Sequence, residues 1–131
     1  MIVMDSNNNT VFRCTFHVVW CTKYRRKLLA TEVESRLKEI ASEVAAETRC
    51  TIREMEGDLD HFHMLVDCDP QFGIHRFVKA VKGRSSRLLR KEFSQLRTRV
   101  PTLWTNSYFV ATVGGAPLAA IKKYIENQKC N

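Results

Sequence analysis

Two histidines one residue apart, His61 and His63, sit in the apolar run D-H-F-H-M-L-V-D, Asp60 to Asp67. On an extended strand successive side chains alternate faces. Both imidazoles therefore project the same way, about 7 Å apart along the chain, while Phe62, Met64 and Val66 point to the opposite side, into a core. That spacing suits one cation held by two nitrogens. Two ligands do not complete a site, however, and an isolated H-x-H often means one exposed histidine and one satisfied by a hydrogen bond. Near the C-terminus, K-K-Y-I-E-N-Q places Tyr124 and Gln128 four residues apart, one turn above the other on a helix, flanking an apolar stripe of Leu118, Ile121 and Ile125. A helix packed by that stripe holds a phenol and an amide at the rim of its contact, where Gln128 can supply a third, oxygen ligand. The same two residues also fit an ordinary surface helix.

Periodicity predicts the elements that must hold these groups. Val11 to Trp20 alternates with period two, setting Phe12, Cys14, Phe16, Val18 and Trp20 on one face of a first strand. Thr31 reads as the N-cap of a helix and Glu34 as its capping-box partner, with Val33, Leu37, Ile40, Val44 and Ala45 at helical spacing as far as about Thr48. Cys50 to Glu56 is a second strand, Gly57-Asp58 a turn, and Asp60 to Asp67 a third strand closing a hairpin. From Gly73 to Phe93 an amphipathic helix gathers Phe77, Val78, Val81, Leu88 and Leu89 on one side, with Gly83 a weak point inside it. Ser107 to Val113 is a fourth strand, ending in G-G-A-P, where Pro117 can start a last helix running to about Lys129.

The predicted order is β-α-β-β-α-β plus a helix. It specifies an α+β fold with a ferredoxin-like (RRM-like) antiparallel sheet, two helices on one face, and an additional C-terminal helix carrying the tyrosine. Strands one and three are the central pair in such a sheet, with Arg13, Thr15, His17 and Val19 of strand one beside the histidines. The 131 residues suit a single domain, 1–131, with residues 1–10 as a polar tail.

Lys plus Arg number 21 against 14 Asp plus Glu, a formal charge of +7 that favours an anionic partner. On the long helix Arg76, Lys79, Lys82, Arg84, Arg87, Arg90 and Lys91 occupy the arc opposite the apolar stripe, an arrangement that fits a phosphate backbone or simply a solvated face. A second cluster, K-Y-R-R-K, joins Lys23, Arg25 and Arg26 to Tyr24, an aromatic ring able to stack on a base. Five scattered cysteines without a C-x-x-C pair exclude a zinc ribbon and a disulfide framework. With no signal peptide and no apolar run long enough to span a bilayer, the expectation is a cytoplasmic protein with no membrane partner.

Taken together, D-H-F-H with its apolar continuation, K-G-R-S-S-R-L-L-R-K-E-F, L-W-T-N-S-Y-F, T-V-G-G and K-K-Y-I-E-N-Q, preceded by V-V-W-C-T-K-Y-R-R-K, resemble the single-tyrosine HUH transposases (TnpA type) of small prokaryotic insertion sequences. The resemblance implies cleavage and rejoining of single-stranded DNA through a 5′-phosphotyrosine. It assigns Tyr124 as nucleophile and His61, His63 and Gln128 as ligands of a divalent metal, Mg²⁺ or Mn²⁺. It further implies a homodimer acting on single-stranded DNA with hairpin ends. Gly114 and Gly115 would then be the hinge on which the tyrosine helix docks at a partner's histidines, although the pair also fits a tight turn. The rival reading is a non-catalytic ferredoxin-like single-stranded nucleic-acid binder. Such a module usually offers stacking aromatics on its open face, where this chain places Arg13, Thr15, His17 and Val19.

Overall fold

The computed structural model describes residues 2–7, 10–112 and 118–128. Strands β1 (Ile2–Asn7), β2 (Thr10–Cys21), β3 (Cys50–Asp58), β4 (His61–Cys68) and β5 (Phe109–Thr112) form one sheet. Helices α1 (Thr31–Glu47), α2 (Ile74–Glu92), α3 (Gln95–Arg99) and α4 (Leu118–Asn127) complete the described elements. The sheet runs β1-β2-β4-β3, β5 also pairs with β2, and every pairing is antiparallel. Because β4 lines one edge of β2 from Cys14 to Cys21, β1 and β5 share the other edge end to end, β5 taking Phe16 to Val19. The histidine strand β4 is thus bonded on both sides, by β2 and by β3.

Packing on one face of the sheet follows the predicted alternation. Val18, Trp20, Phe62, Met64 and Val66 are fully buried, together with Val33, Leu37, Ile40 and Val44 of α1 and Phe77, Val78, Val81 and Leu89 of α2. Each such side chain contributes about 1.5–3 kcal/mol relative to exposure, so this face is where the fold gets its stability. Leu96, Val100, Leu103 and Trp104 extend the core from the segment after α2. Trp104 also donates Nε1–H to Ser85 Oγ at 3.0 Å, which ties that segment to α2.

Four local expectations are corrected. Residues 2–7 are not a polar tail but strand β1, with Ile2, Val3 and Met4 paired to Cys14, Arg13 and Phe12; their apolar, β-prone start satisfies the backbone groups on the free edge of β2. The N-cap of α1 is Ala30, not Thr31, and no side chain caps it. Glu34 is not a capping-box partner: its carboxylate accepts the Gly57 N–H at 3.1 Å and pairs with Lys38 at 3.1 Å. Gly57-Asp58 is not the turn either, since both residues remain in the ladder opposite Phe62 and His61. The chain reverses at Leu59 and Asp60, with Leu59 held at a φ of 46° while its carbonyl accepts N–H groups from Leu28 and Leu29. Gly57 serves close approach instead, because a Cβ there would lie 2.9 Å from Glu34 Cδ. The short helix α3 was not predicted; five residues carry too little periodicity to register.

Candidate active site

His61 and His63 lie on the sheet face opposite the core, both partly buried. Their direct cross-strand partners are Cys21 and Val19 on β2 and Asp58 and Glu56 on β3. The Asp60 carboxylate sits 2.8 Å from His61 Nδ1 and holds Arg25 Nε and Nη2 at 3.1 and 3.0 Å. A carboxylate only accepts, so His61 Nδ1–H is the donor in this bond, which orients the ring with Nε2 on its other side. His63 Nε2 stands 3.3 Å from His17 Nδ1, the rings stacked at 5.6 Å between centroids. Burial, and then the neighbouring His17, lower the His63 pKa below its ordinary value, so this imidazole is neutral at pH 7, the form that ligates a metal.

Tyr124 on α4 and Gln128, the residue just past its end, converge on a single hydroxyl. Ser107 Oγ donates to Gln128 Oε1 at 2.8 Å and lies 3.1 Å from the Tyr124 OH. Ser107 has one proton, and the amide oxygen can only accept it, so the phenol is the donor in the second bond. Gln128 is buried, with 7% exposure. Phe109 of β5 tilts against the Tyr124 ring at 5.9 Å. Burial is the main cause raising the Tyr124 pKa; Cys21 adds to it, and the hydrogen-bonding neighbours Ser107 and Thr105 offset part of it. The resting phenol is therefore protonated at neutral pH.

The two halves meet through the backbone. Thr105 N–H donates to Cys21 O at 3.1 Å, and Cys21 is the cross-strand partner of His61. This places the loop that holds the tyrosine alongside the strand facing the histidines. Neither Tyr124 nor Gln128 makes a hydrogen bond to His61 or His63; both are engaged by Ser107. Among the described residues no group of three or more His, Cys, Asp or Glu side chains can hold a metal ion. A site here would rest on two imidazoles and the Gln128 amide oxygen, all neutral donors of a kind suited to a divalent ion.

The basic residues divide by partner. Lys82 Nζ donates to the Thr105 and Ser107 carbonyls, Arg84 pairs with Glu47 at 2.6 Å, and Arg90 donates to the Leu96 and Val100 carbonyls. Arg87, with Arg90, Lys91 and Arg97, lines an open groove of about 540 Å³. Arg97, on the unforeseen α3, joins the predicted cations only through the fold. In the other cluster Arg25 is committed to Asp60, Arg26 is exposed, and Lys23 lies over the exposed Tyr24 ring at 5.0 Å. Gly114 and Gly115, the expected hinge, lie outside the described residues. No described helix is long and apolar enough to cross a membrane.

Comparison with known proteins decides the family. The family described as "Transposase IS200 like" matches residues 10–128. The chain belongs to the IS200-like transposase family. It is 38% identical over 127 residues to the ISDra2 transposase TnpA of Deinococcus radiodurans, covering 95% of this chain and 91% of that protein. It is 31% identical over 122 residues to the transposase of insertion element IS200 from Salmonella typhimurium, covering 92% of this chain and 80% of that one. A crystal structure of a transposase from Deinococcus radiodurans R1 superposes with a TM-score of 0.87 at 34% identity, over 98% of this chain and all of that one. A REP-associated tyrosine transposase bound to a REP hairpin shares the fold at a TM-score of 0.58 and 12% identity, over 87% of this chain and 61% of that one. The matched residues, 10–128, include the elements that carry both halves of the candidate site.

Proposed function

We propose that the protein is a metal-dependent transposase that cleaves and rejoins single-stranded DNA at insertion-sequence ends through a 5′-phosphotyrosine. Family membership supports the reaction class. The observation that carries the residue assignment is the convergence of Tyr124 and Gln128 on Ser107, in a loop bonded to Cys21 opposite His61. We read the β5-β2-β4-β3 order as a ferredoxin-like sheet with β1 added at its edge, and residues 1–131 as one domain.

In this reading the Tyr124 oxygen attacks the scissile phosphorus. An O–P bond forms, the bond to the 3′ oxygen breaks with its electron pair leaving on that oxygen, and the phenolic proton passes to solvent water. The 3′ oxygen is protonated to the free hydroxyl, and the phosphotyrosine keeps the phosphodiester energy for rejoining without ATP. Because burial holds the phenol protonated, Ser107 fixes where its proton points and leaves the oxygen lone pairs for phosphorus. His61, oriented by Asp60, together with neutral His63 and Gln128 would hold the ion, Mg²⁺ or Mn²⁺. When bound it supplies charge to the phosphate oxygens and the departing 3′ oxygen. Arg87, Arg90, Lys91 and Arg97 give the DNA strand a basic path. A homodimer, DNA ends folded as hairpins, a hinge at Gly114-Gly115 and a cytoplasmic location complete the proposal.

The test is incubation with single-stranded DNA carrying the element's end, with and without divalent metal, followed by a denaturing gel. A metal-dependent covalent adduct is expected, absent in Tyr124→Phe. An adduct that persists in Tyr124→Phe removes the nucleophile assignment. Binding without cleavage in any divalent metal instead supports the non-catalytic binding module.

A further inference from the structure

Lys82 belongs by sequence to the basic face of α2, yet its ammonium is turned inward. Nζ donates to the Thr105 carbonyl at 2.7 Å and the Ser107 carbonyl at 2.9 Å, and it stands 5.3 Å from the Tyr108 ring centroid. These carbonyls flank Asn106, so one cation closes a bend of three residues that precedes β5 and lies outside its ladder. The Thr105 N–H bond to Cys21 O joins the bend to β2, Thr105 also meets Tyr124, and a long 3.4 Å bond from Thr105 Oγ1 to Ser107 O lies within the bend. Ser107, at its end, is the residue on which Tyr124 and Gln128 meet.

We propose that Lys82 is a positioning residue for the tyrosine: by tying the carbonyls of Thr105 and Ser107 together, it holds the Ser107 hydroxyl where Tyr124 and Gln128 meet it. The proposal rests on the function proposed above. Two of the three ammonium protons are spent on the loop, which distinguishes Lys82 from a residue that reaches out to phosphate. Methionine matches the length of the side chain but donates nothing, and the planar arginine fork does not reproduce a point donor between two carbonyls.

Lys82→Met is the variant to compare with the wild type. At saturating DNA the single-turnover rate of adduct formation should fall roughly ten- to hundredfold, the scale of a small misplacement of reacting groups. The DNA dissociation constant should stay within about threefold, and its salt dependence should not change. Ser107→Ala should show the same split, and the double variant should be no slower than the slower single one, because both changes break one path. A wild-type rate in Lys82→Met overturns the proposal, as does an affinity loss whose salt slope drops by about one, the signature of a phosphate contact. Additive losses in the double variant overturn it too.

Hydrogen exchange separates this inference from the function it rests on. In Lys82→Met, protection should fall over residues 103–109 and 118–128 and remain elsewhere. Loss throughout the chain means a general folding defect, and unchanged protection means no staple; either outcome overturns the proposal. Should the wild type form no adduct at all, the proposed function falls first, and the exchange result still decides whether Lys82 fastens the loop.

Discussion

The two halves of the site are held by different means. His61 and His63 ride on β4, a strand hydrogen-bonded along both edges, whose opposite face inserts Phe62 and Met64 into the core at 0% exposure. Tyr124 rides on α4, ten residues long, and Gln128 follows its last residue; the two meet the Ser107 hydroxyl, and Tyr124 packs on the Phe109 ring. A helix that short is marginal by itself, so its placement is borrowed from those contacts. The difference implies that the histidines are preorganised at the cost of core packing, whereas the nucleophile is held by a few polar contacts that can be exchanged.

That contrast can be broken or sharpened by substitution. The largest effect is expected for His63→Ala, where cleavage should drop by more than about a hundredfold while DNA affinity is nearly kept. A large loss of affinity in binding assays would show that the histidine strand is structural rather than catalytic. Asp60→Asn keeps the shape of the group that orients His61 and should cost about ten- to hundredfold in metal affinity, read by calorimetry or metal titration. Ser107→Ala removes the shared hydroxyl and should slow adduct formation about tenfold, the worth of one hydrogen bond near 1–1.5 kcal/mol. If it slows cleavage as much as His63→Ala, the two halves are not held so differently.

Arg87→Ala touches neither half. It should weaken DNA binding a fewfold across sequences and reduce the salt slope by about one. The smallest effect is on stability. Burial lowers the Lys82 pKa from 10.5 to about 8, with Cys21 acting the other way. Between these values the unfolded chain holds a proton that the folded chain has released, so wild-type stability relative to Lys82→Met should rise as pH increases from about 8 to 10.5, and be least favourable below about 8. Denaturant melts across that range would show a flat difference if the amine were solvated.

The sequence made legible what periodicity encodes. The alternation in D-H-F-H-M-L-V-D correctly placed Phe62, Met64 and Val66 in the core and both histidines opposite, and the four-residue spacing of Tyr124 and Gln128 brings both to Ser107, although Gln128 lies just past the end of α4. It could not show what depends on register or on a side chain's choice of partner. Of the strand-one neighbours expected at Arg13, Thr15, His17 and Val19, Val19 lies opposite His63 and His17 reaches it diagonally, whereas Cys21 takes the place opposite His61 and Thr15 pairs with Asp67. Ser107 lay inside the L-W-T-N-S-Y-F block, but only the fold brings its hydroxyl to α4. Helix spacing put Lys82 among outward cations because a wheel records angles, whereas the destination of a long flexible side chain is set by the acceptors within its reach.

Gly57 faces α1 across from Phe62, the residue between the two histidines, at a spacing with no room for a methyl group beside Glu34. The rung that carries Phe62 is thus tied to α1 on the far side of the sheet, through the Gly57 N–H bond to Glu34. Gly57→Ala would push the flexible end of Glu34 aside and weaken its bond to the Gly57 N–H, although the added carbon never touches DNA, metal or tyrosine.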